Sequence, residues 1–157
     1  MKYMASLMVV KSIEKSRTLY EGELGLKVVA DFGQNITFEG GFALHEEEHY
    51  RMLLGGRDVI KRSNSFELYF EEDKIEEVYE KVQQLGLELV HELIEQPWKQ
   101  LVFRFYDYDK NILEIGEPLE HTAFRLHKQG LPLEDICRTT YLGEDAVKKA
   151  IEFYSQG

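Results

Sequence analysis

The sequence predicts an α+β fold of two tandem βαβββ modules followed by a three-helix extension, and three observations carry that prediction. Residues 12–31 and 73–92 repeat one pattern, Ser12-Ile-Glu-Lys…Leu24-Gly25-Leu26 and Asp73-Lys-Ile-Glu…Leu85-Gly86-Leu87: a helix start, an amphipathic helix, a Leu-Gly-Leu stop and a strand. Each stop is followed by short β-branched and aromatic runs separated by turn residues. Beyond Pro118 the alternation ends and helical spacing takes over. The offset between the copies is 62 at Ile13/Ile75 and 61 at Leu24/Leu85, so the second helix is one residue shorter than the first.

In the first module, Met4–Val10 reads as a strand and Ile13–Glu23 as a helix, because Ile13, Leu19, Tyr20 and Leu24 share a face between charges. Ser12 is the expected N-cap and Gly25 the expected stop. Strands follow at Lys27–Phe32, Ile36–Glu39 and Phe42–His45, separated by Gly33-Gln-Asn35 and Gly40-Gly41. A charged run, Glu46–Arg51, then leads through Leu-Leu-Gly-Gly and a polar linker, Arg57–Ser65, into the second module. There the expected strands are Phe66–Glu71, Glu88–Leu93, Leu101–Tyr106 and Ile112–Ile115, with a helix over Asp73–Leu85 capped by Asp73 and a turn at Asp107–Asn111. The extension reads as helices at Glu120–Gln129, Leu133–Thr140 and Glu144–Tyr154, Pro132 suiting a first turn. The predicted division is therefore 1–117, with modules 1–56 and 65–117, and 118–157.

With 157 residues, 43% of them hydrophobic, the chain has enough apolar material for a substantial core. A net charge of −10 argues against an extended phosphate-binding surface, which is built by Lys and Arg, and favours a small neutral or cationic molecule as partner. Cys137 stands alone, excluding an internal disulfide, and reads as a small hydrophobe of the C-terminal helices. No apolar run reaches the ~20 residues of a membrane-spanning helix, and the first ten residues read as a strand of a cytoplasmic protein. His49, His91, His121 and His127 show no metal-ligand spacing among themselves and read as structural or exposed.

The repeated helix-stop units, together with Pro97-Trp98 and the terminal Phe103-Arg-Phe105-Tyr-Asp107-Tyr-Asp109-Lys-Asn111-Ile-Leu-Glu114-Ile, resemble the vicinal oxygen chelate superfamily, which contains glyoxalase I, bleomycin-resistance proteins and extradiol dioxygenases. The resemblance covers residues 1–117. Tyr108 and Lys110 depart from it, standing where the family's turn usually has Pro and Gly. It implies that the two modules curl into a concave cup holding a divalent metal on its floor. Carried over position by position, the ligand sites fall on Ala5, His45, Glu67 and Glu114; Ala5 cannot ligate.

One imidazole and two carboxylates suit Zn, Ni, Mn or Fe(II) with positions open for substrate. Without a metal, two facing carboxylates need a cation or a proton between them. Glu67 and His45 are equally compatible with solvated strand positions, Glu67 because its strand alternates and His45 because it leads into the acidic run Glu46–Glu48. Glu114, flanked by Leu113 and Ile115, alternates to the face opposite them and is the expected catalytic carboxylate. Trp98 and Tyr106 are the expected ligand-binding aromatics of the wall.

Residues 126–151 are similar to a bacterial helix-turn-helix, with Glu144–Tyr154 as the recognition helix, yet only Lys148 and Lys149 would reach a groove, so packing or dimer formation is the expected role rather than nucleic-acid binding. Two functions lead, each for an expected homodimer acting on a small organic molecule: a metal-dependent glyoxalase-like lyase, isomerase or dioxygenase, or a metal-free binding protein of the bleomycin-resistance type; a ligand-sensing DNA-binding regulator is the less favoured alternative. Loss of the ligand at Ala5 favours the second; Glu114 favours the first.

Overall fold

Both βαβββ modules are present in a computed structural model that describes residues 1–156. The first contributes β1 (Ser6–Val10), β2 (Val28–Asp31), β3 (Asn35–Phe38) and β4 (Phe42–Glu46), hydrogen-bonded in the order β1-β4-β3-β2. The second repeats that order as β5-β8-β7-β6, with β5 (Glu67–Glu71), β6 (Leu89–Glu95), β7 (Leu101–Tyr106) and β8 (Ile112–Gly116). The predicted strands agree with these spans to within two residues at each end. In the first sheet β1 runs parallel to β4, setting Ser6 opposite Phe42 and Val10 opposite Glu46. The chain divides into two compact units, residues 1–66 with 106–112, and residues 67–105 with the chain from Leu113 on.

The first unit buries Val10, Leu19, Tyr20, Ile36, Phe38 and Leu44. Phe38 stacks on Phe42 with centroids 4.6 Å apart, and the Tyr20 ring tilts against both. Its helix starts as predicted: the backbone N–H of Lys15 donates to Ser12 Oγ at 3.2 Å, and α1 spans Ile13–Arg17. The chain then continues as a π-helical turn over Thr18–Glu23, with Leu24 N bonded to Leu19 O, five residues back, at 2.9 Å. A π turn absorbs one extra residue without losing the helix's direction. This is the physical form of the one-residue difference between the copies.

One stretch gains an element and one expectation is corrected. The charged run after β4, to which the sequence reading assigns no element, is a short helix, α2 (Glu47–Leu53), started by Glu46, whose carboxylate accepts the His49 N–H at 2.9 Å. The second-module helix, α3, spans Ile75–Gln84 and is not capped by Asp73. Lys74 sits at its start, Glu72 accepts the Lys74 N–H, and Asp73 accepts instead from the Tyr154 hydroxyl at 2.9 Å.

The turn residues 106–112 close the first unit. Asp107 Oδ1 accepts the N–H groups of Asp109 and Asn111, both at 2.8 Å, while Oδ2 accepts the Tyr20 hydroxyl at 2.9 Å and the Asn111 amide at 2.9 Å. Burial, followed by the nearby Asp107 carboxylate, raises the Tyr20 hydroxyl well above its ordinary pKa. Lys110 adopts φ 68°, the left-handed conformation that suits glycine.

In the second unit α3 packs on one face of the sheet, with the Tyr79 ring edge-on to Phe103 at 5.2 Å and Ile75, Val82, Phe103, Phe105, Leu113 and Ile115 buried. The C-terminal helices α4 (Leu119–Lys128), α5 (Leu133–Thr140) and α6 (Glu144–Tyr154) form a second small core of Ala123, Leu126, Ile136 and Val147. Cys137 packs partly buried against this core, as expected.

Glu117, fully buried just past β8, secures α4. Its carboxylate accepts from Arg125 Nε at 3.0 Å and Nη2 at 2.8 Å, from Thr122 Oγ1 at 2.8 Å and from the Leu101 N–H at 3.3 Å, and lies 2.8 Å from His121 Nδ1. Burial alone would raise its pKa; Arg125 and Thr122 reverse this and hold it below the ordinary carboxylate value. No helix among the described residues is long and apolar enough to cross a membrane.

Candidate functional site

Period-2 alternation puts Glu67, Arg104 and Glu114 on the face of the second sheet opposite α3, and cross-strand register sets His91 of β6 beside Arg104 of β7. Arg104 is the hub. Its Nε donates to Glu67 Oε2 at 2.9 Å, one Nη donates to His91 Nε2 at 3.0 Å, and the other pairs with Glu114 Oε2. His91 Nδ1 lies 2.8 Å from the Glu92 carbonyl, which only accepts, so the ring proton sits on Nδ1 and the Nε2 lone pair faces the guanidinium.

The two carboxylates also influence each other's ionisation. Arg104 holds Glu67 below the ordinary carboxylate range. Desolvation, followed by the neighbouring Glu67, raises Glu114 to about 7 despite Arg104. Near neutrality Glu114 is therefore poised between acid and base, the condition for exchanging a proton with a bound molecule.

A second polar chain crosses the same face. The Trp98 indole N–H donates to Gln100 Oε1 at 2.8 Å, Gln100 Nε2 donates to the Tyr69 hydroxyl at 3.0 Å, and that hydroxyl donates to Glu71 at 2.8 Å. Gln100 Nε2 also reaches the Glu117 carbonyl at 2.7 Å. Tyr69 and Gln100 lie this close to β8 because residue 116 is glycine: a Cβ there would come within 2.9 Å of the Tyr69 ring and 3.1 Å of Gln100. Tyr69 is 47% exposed and Trp98 38%, so the aromatic surface is open to a ligand while its polar ends are held.

The predicted site residues belong to both units. Glu67 and Glu114 meet, and Trp98 lies in their unit. His45 belongs to the first unit, where Asn35 Nδ2 lies 3.2 Å from its Nδ1 and His49 Nδ1 lies 2.8 Å from its Nε2. Burial, reinforced by His49, lowers its pKa. Tyr106, also of the first unit, is buried, its hydroxyl donating to Asn64 at 2.8 Å and the Arg62 guanidinium lying over its ring. Ala5 precedes β1 and offers no donor.

Sequence reasoning missed Arg104, His91, Tyr69 and Gln100. Arg104 carried a signal, being the only charge in Leu101–Tyr106. His91 carried none, since its partners come from other strands. As they stand these residues do not fit a divalent ion. The guanidinium holds the point where the donors converge, and among the described residues no group of three or more His, Cys, Asp and Glu is placed to share one.

Comparison with known proteins is consistent with this architecture. Residues 3–120 match the glyoxalase-like domain family. The crystal structure of a protein of unknown function from Agrobacterium tumefaciens str. C58 is 34% identical, over 74% of this chain and 94% of that one, with a TM-score of 0.66. Two further structures share the fold at 16% identity. Lactoylglutathione lyase from Agrobacterium tumefaciens matches 74% of this chain and 93% of its own, with a TM-score of 0.53. The fosfomycin resistance protein FosX from Listeria monocytogenes matches 78% and 98%, with a TM-score of 0.58. No protein of curated function matches.

Proposed function

The chain belongs to the glyoxalase-like domain family, and from that premise we propose that it is a metal-independent binding protein for a small cationic aromatic molecule, received on the face of the second sheet that carries Tyr69, Trp98 and Arg104. The observation that carries this reading is the guanidinium of Arg104 between Glu67 and Glu114, where the family resemblance anticipated a metal. Exposed aromatic rings supply the apolar contact. Glu67, Glu71 and Glu114 outnumber Arg104 on that face, which favours a positive ligand. In this reading residues 1–117 hold the ligand, 118–157 brace the body, and the protein works as a homodimer in the cytoplasm; light scattering tests the dimer.

A second reading is favoured by one observation, the Glu114 carboxyl held at about 7. It makes the protein a lyase or isomerase in which Glu114 moves a proton on a bound carbonyl compound. Turnover that is abolished in Glu114→Gln separates this reading from simple binding.

Trp98 is the single tryptophan of the chain, so its fluorescence reports the proposed site directly. Titration with a panel of aromatic amines, aromatic acids and neutral aromatics is expected to give saturable change with the amines, indifferent to EDTA or to added Zn, Ni or Mn. Binding that appears only after a divalent metal is added overturns the proposal and restores the metal-dependent reading with His45, Glu67 and Glu114 as ligands.

A further inference from the structure

We propose that Glu67, Glu114 and His91 form a cradle for one planar cation, that the side chain of Arg104 is its resident occupant, and that the cradle takes up free guanidinium when that side chain is cut away. This inference stands whichever molecule the sheet face binds.

Each of the three guanidinium nitrogens has its own acceptor: Nε meets Glu67 Oε2 at 2.9 Å, one Nη meets His91 Nε2 at 3.0 Å, and the other meets Glu114 Oε2 and, at 3.5 Å, Glu67 Oε1. Three-point recognition, one acceptor to each nitrogen, matches the fork of a guanidinium and not the point charge of an ammonium. The acceptors come from three strands, β5, β6 and β8, so the sheet holds them in place independently of Arg104.

His91 is fixed from behind. Its Nδ1–H is bound to the Glu92 carbonyl, the arrangement by which proteins lock an imidazole with its other lone pair aimed at a cation. Glu114 and Arg104 side chains keep 12% and 28% of their exposure, enough shielding that acceptors stripped of their cation gain from a replacement, and enough access for one to enter.

The test uses Arg104→Ala in the full chain, with thermal melting in guanidinium, methylguanidinium, ammonium and sodium chlorides at equal, non-denaturing concentration. The variant is expected to melt below wild type and to recover by about 2–4 °C in guanidinium or methylguanidinium at some five times the dissociation constant, relative to sodium. Wild type, already occupied, is expected to show no such gain, and adding Glu67→Gln to the variant to abolish it.

Guanidinium no better than ammonium overturns the proposal, as does a larger gain from micromolar zinc or manganese, which would mark a site shaped for a spherical ion. Should Arg104→Ala fail to fold, nitrogen-15 spectra of wild-type histidines decide. His91 protonated on Nδ1 alone is the expected result, and a proton on Nε2 overturns the cradle.

Discussion

The two repeats end their last strands in the same way and then diverge. Both place a titratable residue on that strand, His45 on β4 and Glu114 on β8, and burial drives each toward its neutral form, lowering the imidazole and raising the carboxyl to about 7. Both then reach a glutamate close to the start of a helix. Glu46 starts one at the surface, its carboxylate taking one N–H of a seven-residue helix without buried residues. Glu117 lies in the interior ahead of the Pro118 that caps α4, and is bound by the side chains of Arg125, Thr122 and His121 from that helix, which buries Thr122, Ala123 and Leu126. The glutamate is thus a peripheral cap in one copy and the side-chain anchor of a whole helical layer in the other. What separates them is the apolar surface that follows.

Arg125→Ala breaks this contrast most severely. It leaves the Glu117 carboxylate buried without its cation, a loss of about 3–5 kcal/mol, to be read from urea unfolding and from detachment of α4–α6 in hydrogen exchange. If the stability of the variant stays within 1 kcal/mol of wild type, roughly the range of a surface ion pair, Glu117 is no more than Glu46 in another place.

A pH series sharpens the comparison next. Unfolded Glu114 titrates near its ordinary 4.5, whereas the folded group holds its proton up to about 7. Between those values the folded state binds more protons, so stability falls as pH rises through the window. Glu114→Gln carries no such proton, and its unfolding free energy is expected to be flatter between pH 5 and 7.5. Glu117 works oppositely: its depressed pKa contributes stability above the unfolded value that is lost as acid is added below it.

Glu46→Ala, the counterpart of the first prediction, is expected to cost only about 1 kcal/mol, the worth of a helix cap. Smallest is Lys110→Gly, which relieves a left-handed backbone and is expected to stabilise by roughly 0.5 kcal/mol, after the greater entropy of unfolded glycine is set against the relief. A drop in melting temperature would show that the Lys110 side chain earns its strain.

Most of the fold was legible because its signals are local. Ser12, the two Leu-Gly-Leu stops and the alternation in each strand depend on neighbours in sequence. Even the π turn left a trace, the single-residue change in repeat offset, although offset alone could not say that the helix would widen at Thr18–Glu23 rather than fray. The charge run Glu46–Arg51 suggested no element because α2 buries no residue, so it lacks the apolar stripe by which helices are recognised. Glu67 and Glu114 could be picked out through the strand pattern and the resemblance. Their relation to Arg104 and His91 is a matter of which strands lie side by side, which is written in no single segment.

The Asp107 turn has a bearing on how the chain is made. The first compact unit is discontinuous: it needs residues 106–112, including the Asp107 that receives the Tyr20 hydroxyl 87 residues away. A ribosome adding about 5–20 residues per second delivers Tyr106 roughly 2–8 seconds after Phe66. Through that interval the Tyr20 hydroxyl, enclosed in the finished protein, has no native acceptor, and the nascent first repeat must wait half-assembled while most of the second is being synthesised. The earliest-made half of this protein is therefore completed only by residues that follow most of the second repeat.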